Sequence, residues 1–115
     1  MPELPKETEQ MISEFQQLQA QFQLIVVQGQ QTQAQMDEIE EALEQLKSAS
    51  GKIYKASGPL LMESNKDAVA KELKERKESL AVRHSMLGKQ EEKLKTRLNE
   101  LRSKIEAAAK GLGAA

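Results

Sequence analysis

The sequence predicts a mainly α fold: a long antiparallel two-helix coiled coil with one small β-hairpin at the connecting end. Three observations carry that expectation. Two long stretches of good helix formers hold apolar residues at heptad spacing, a short segment with turn chemistry separates them, and the two halves carry opposite charge. The composition agrees, because hydrophobic residues make up 38% and aromatics only 3% of 115 residues. That is too little for a large multilayered core.

The first helix is expected from about Lys6 to Lys47, a stretch without proline and with one glycine, rich in Gln, Glu, Leu, Ala and Met. Pro2 and Pro5 suit its entry, and Lys47 followed by Ser48-Ala49-Ser50-Gly51 suits its end, where Gly51 can adopt a left-handed backbone. Such a helix would be roughly 60 Å long at 1.5 Å per residue. Alternating steps of four and three land on Met11, Phe15, Leu18, Phe22, Ile25, Gly29, Thr32, Met36, Ile39, Leu43 and Leu46, a sustained seam. Gly29 and Thr32 are its weak positions, read as a thin layer facing larger side chains rather than as a hinge.

Next comes Lys52-Ile53-Tyr54-Lys55-Ala56-Ser57-Gly58-Pro59-Leu60-Leu61-Met62-Glu63, in which short apolar runs flank a Ser-Gly-Pro turn. A β-hairpin over about 52–63 follows. A lone hairpin is marginal in water and its open edges invite pairing, so this segment is expected to be an assembly element.

The second helix is expected from about Lys66 to Lys110, started by Ser64 or Asn65 with Asp67 in its first turn. Leu73, Leu80, Leu87, Leu94 and Leu101 recur every seventh residue. Arg76, Arg83, Gln90 and Arg97 are read as the second seam position, which becomes apolar only near Leu98 and Ile105.

The net charge of -1 divides unevenly: residues 1–50 hold two bases against nine acids, and residues 51–115 fifteen bases against nine acids. In an antiparallel pair, residues whose numbers sum to about 115 face one another, which sets the acidic run 37–44 near Lys71, Lys74, Arg76 and Lys77. Each exposed pair contributes only about 0–1 kcal/mol, so charge acts mainly on orientation and register.

These features exclude several functions. With no cysteine and one histidine, disulfide frameworks, thiolate nucleophiles and most metal sites are absent. No metal or other cofactor is expected. There is no glycine-rich phosphate loop, HExxH or nucleophile elbow, so the chain is expected not to be an enzyme. His84 is read as a solvated side chain on an outer helix face. The residues before Leu73 include Glu63, Asp67 and Glu72 and form no basic block, which sets nucleic acid aside. The longest apolar run in the uncharged stretch from Phe15 to Met36 is Leu24-Ile25-Val26-Val27, far short of the ~20 residues that span a bilayer. No membrane partner is expected. The start, Met1-Pro2-Glu3-Leu4-Pro5, lacks the basic-then-apolar order of a secretory signal, so cytoplasmic localisation is the expectation.

Apolar residues remain that two helices cannot enclose. Leu4, Met11, Ile12 and Phe15 come close to Leu101, Ile105 and Leu112 where the chain ends meet, and are read either as a frayed, partly buried helix end or as an adhesive tip for apolar segments of other proteins. Leu24, Val26 and Val27 flank the seam and raise the same question; packing against a neighbouring subunit competes there.

Long helix, hairpin and long return helix resemble prefoldin, and in particular the archaeal beta-type subunit. The resemblance rests on the order and spacing of Leu4-Pro5, Phe15-Gln16-Gln17-Leu18-Gln19, Ile53-Tyr54-Lys55, Gly58, Lys71-Glu72-Leu73 and Lys77-Glu78. It implies one domain over 1–115 and a hexamer of two alpha and four beta subunits, whose hairpins form a β-barrel platform carrying six coiled coils. It also implies an ATP-independent chaperone that holds unfolded proteins and passes them to a group II chaperonin. By this similarity Leu4, Met11, Ile12, Phe15, Ile105 and Leu112 contact clients, while Ile53, Tyr54, Leu60, Leu61 and Met62 assemble the platform. The alternatives are a structural coiled-coil adaptor that binds one folded partner and, less well supported, a membrane-surface helix, whose basic polar face the uncharged stretch lacks.

Overall fold

The computed structural model describes residues 4–113, as four elements in the expected order. Helix α1 spans Lys6–Ser48, strands β1 and β2 span Ile53–Ser57 and Leu60–Ser64, and helix α2 spans Lys66–Gly113. The chain forms two compact units, each built from parts of both helices. A terminal unit comprises Met1–Gly29 with Met86–Ala115, and a hairpin unit comprises Gln30–Ser85.

Local chemistry fixes the helix ends. The Glu9 amide donates to the Pro5 carbonyl at 3.1 Å, and Glu7 and Glu9 place negative charge on the first turn of α1. Pro2 lies outside the described residues. At the other end, Lys66 Nζ donates to the carbonyls of Lys47 (2.8 Å) and Ala49 (3.2 Å), so a cation satisfies one acceptor that the helix leaves orphaned and another just beyond it. Gly51, with φ +86°, takes the left-handed backbone beyond that cap. Asn65 is the N-cap of α2, because its Oδ1 accepts the Ala68 amide at 2.8 Å.

The α1 seam lies where the heptads put it. Met11, Phe15, Leu18, Phe22, Ile25 and Gly29 in the terminal unit, and Thr32, Met36, Ile39, Leu43 and Leu46 in the hairpin unit, are buried or half-buried. Thr8, one step earlier, is buried too. In α2 the second seam position differs from expectation. It lies four residues after each leucine, at Lys77, His84, Glu91, Leu98 and Ile105, while Arg76, Arg83 and Gln90 are exposed. Choosing this phase brings Leu98, Ile105 and Leu112 into one stripe, so the greater apolar area decides it. His84 is accordingly half-buried rather than on a solvated outer face.

Ion pairs align the helices antiparallel within each unit. Lys77 Nζ pairs with Glu40 Oε1 in the hairpin unit, joining the acidic run to one of its expected basic partners. Lys77 is half-buried at this seam position, and its ammonium reaches the carboxylate. In the terminal unit, Arg97 pairs with Glu14. Among the described residues, no buried side-chain nitrogen or oxygen lacks a hydrogen-bond partner.

β1 and β2 pair antiparallel from Ile53↔Ser64 to Ser57↔Leu60. Gly58 has φ +58° and Pro59, with no amide and φ near about -65°, follows it. A two-residue loop with positive φ only at its first central position is a type II′ turn.

Candidate functional site

Among the described residues, two open grooves in the terminal unit share no residue. The larger, about 530 Å³, is lined by Pro5, Thr8, Met11, Ala107 and Ala108 together with Glu7, Arg97 and Lys104, and Leu101 closes its base. Leu101 is 0% exposed, the anchor of this end. The small side chains of Ala107 and Ala108 leave the groove its width. The second, about 410 Å³, is lined by Ile12, Phe15, Gln16, Gln19, Arg102, Ile105 and Glu106. Both have the size of small-ligand pockets. Their apolar floors and mixed polar rims suit apolar side chains arriving on another polypeptide more than a polar metabolite.

One charge cluster borders the larger groove. Arg97 Nε and Nη2 donate to Glu14 Oε1 and Oε2 at 3.0 and 3.1 Å, a bidentate pair joining α1 to α2, and Nη1 reaches Glu100 Oε2 at 3.2 Å. Arg97's hydrogen bonds hold the Glu14 carboxyl below its usual range, against a smaller opposing effect of burial and with help from the nearby Arg97 and Lys104 charges. The guanidinium is held in its charged form by the same bonds. This clamp fixes the helix pair beside the groove and supplies no nucleophile or proton shuttle. Among the described residues no group of His, Asp and Glu could hold a metal ion, and no helix is long and apolar enough to cross a membrane.

Of the residues expected to bind clients, Met11 lines the larger groove, and Ile12, Phe15 and Ile105 line the second. Leu4 is exposed and Leu112 half-buried, and neither lines either of these two grooves. Pro5, Thr8, Ala107 and Ala108 are groove residues that the sequence reading does not single out as such. Thr8 continues the heptad one step before Met11, and the alanine run at 107–109 marks a thin side of α2, so both signals were present.

The hairpin presents a second unusual surface. Strand alternation puts Leu60 and Met62 on one face and Tyr54 and Leu61 on the other, and all four are exposed, Leu61 by 75%. Ile53 is half-buried. Lys55 Nζ to Glu72 Oε1, at 2.7 Å, ties the hairpin to α2, but neither hairpin face is covered by its own chain. A sheet apolar on both faces is unusual in a protein that acts alone.

Comparison with known proteins places these features in a family. A family model described as a prefoldin subunit matches residues 9–111. The crystal structure of the prefoldin beta subunit from Thermococcus strain KS-1 is similar, with a TM-score of 0.84 and 35% sequence identity, over 94% of this chain and 96% of that one. No curated protein matches the sequence.

Proposed function

The chain belongs to the prefoldin subunit family, and on that footing we propose that it is a beta-type subunit of an ATP-independent chaperone that holds unfolded proteins. The family implies a chaperone role, not an enzymatic one, and assembly with other prefoldin subunits. The observation that carries the holding role is the pair of apolar grooves in the terminal unit, lined by Met11, Ile12, Phe15 and Ile105. Each groove offers a weak, undemanding contact, and several copies on one client multiply such contacts through effective concentration. Leu4 and Leu112 widen the contact beyond the grooves.

Ile53, Tyr54, Leu60, Leu61 and Met62 assemble the platform on this reading. Four of them are exposed on two faces of a sheet whose edges are open, and joining hairpins into a barrel would remove both liabilities. The proposed assembly has two alpha and four beta subunits, works in the cytoplasm and hands clients to a group II chaperonin. Suppression of aggregation of several unrelated denatured proteins, without nucleotide, tests the holding role. A structural adaptor for one folded partner would suppress none of them. Native mass measurement with and without an alpha-type subunit tests the stoichiometry.

A further inference from the structure

We infer that the outer face of α1 around Leu24 and Val27 is a second holding site, which takes uncharged stretches of extended polypeptide; this rests on the holding role proposed above. Leu24 is 58% exposed and Val27 46%, although Phe22 and Ile25 beside them are half-buried in the seam. Spaced three apart, the two share one face of the helix.

The surroundings are as unusual as the pair. Exposed helix faces in this chain are solvated by Lys, Arg, Asp and Glu, which form 30% of it, yet none occurs between Glu14 and Asp37. Exposed Gln17, Ala20, Gln21 and Gln23 stand there instead. A carboxamide both donates and accepts, and an extended chain offers unpaired N–H and C=O groups along its whole length. A charged segment brought to this face would lose hydration and find no opposite charge, so the site selects stretches of low charge.

A second folded copy of the chain fits less well. Stable protein interfaces bury about 800 Å² per partner, and the row Gln17, Ala20, Leu24, Val27 contains only two large apolar side chains. That is too little for a folded partner, and enough for one of several weak contacts to a client already held elsewhere.

The test places a photo-reactive amino acid at position 24 of the assembled protein and adds a dye-labelled, chemically denatured polypeptide. Cross-linking to that client, absent when the client is folded, is expected. In parallel, Leu24→Gln with Val27→Gln, which keeps helix propensity, should at least halve the amount of denatured client held while the oligomer mass stays the same. Cross-links only to other copies of the chain, or unchanged holding by the double variant, would overturn the inference. Failure of the unsubstituted protein to hold any client would overturn the proposed function instead, so the two failures are distinguishable.

Discussion

Arg97 and Glu14 show how a single pair can set both register and pH response. Both are partly solvated, so the pair acts chiefly on alignment, with two parallel hydrogen bonds fixing one helix against the other. Because folding depresses the Glu14 carboxyl, its contribution is complete above the ordinary value of about 4.5 and is lost as pH falls through the lower folded value. Glu14→Gln should therefore lower the thermal midpoint at neutral pH and narrow the difference between neutral pH and about pH 3, as followed by circular dichroism. Leu101 acts through packing. Being wholly buried, it should cost roughly 2–5 kcal/mol when changed to Ala, measured by urea unfolding.

The elements were legible to different degrees, for physical reasons. The α1 seam followed from spacing alone because only one phase sustains apolar residues along the whole helix, and the hairpin followed from Ser57-Gly58-Pro59 between apolar runs. The phase of α2 was harder to read, since Lys77, His84 and Glu91 are no more apolar than Arg76, Arg83 and Gln90; only Leu98, Ile105 and Leu112 break the tie. Groove shape depends on small residues such as Ala107 and Ala108, whose importance lies in what they leave empty, and a search for large apolar side chains passes over them. Gly29 illustrates a different point. A Cβ added there meets nothing within 4 Å, and the same holds at Gly88, so no neighbouring side chain fills the thin layer against the glycine. Gly29→Ala and Gly88→Ala should each stabilise their helix by up to about 1 kcal/mol, seen as higher thermal midpoints. In the hairpin, Leu61→Asp should leave helix content unchanged and reduce the assembled mass measured by light scattering, because a charge at an apolar interface is left unpaired.

At the scale of the whole molecule, the proposed function has one chain divide its apolar surface among three tasks. Surface along the seam is consumed by pairing α1 with α2, while on the proposed function the exposed surface of the hairpin would serve other subunits and that of the terminal grooves would serve clients. The near-cancelling charge fits this division, because a strong net charge would bias which unfolded chains approach. If holding and assembly sit on separate residues, as proposed, they should be separable by truncation. The most direct measurement is light scattering of a denatured, aggregating protein in the presence of assembled protein lacking residues 1–19 and 102–115, which removes most of the lining of both grooves. We expect the truncated protein to keep its oligomer mass and lose most of its protection; full protection by a correctly assembled truncation would contradict client holding in the terminal grooves.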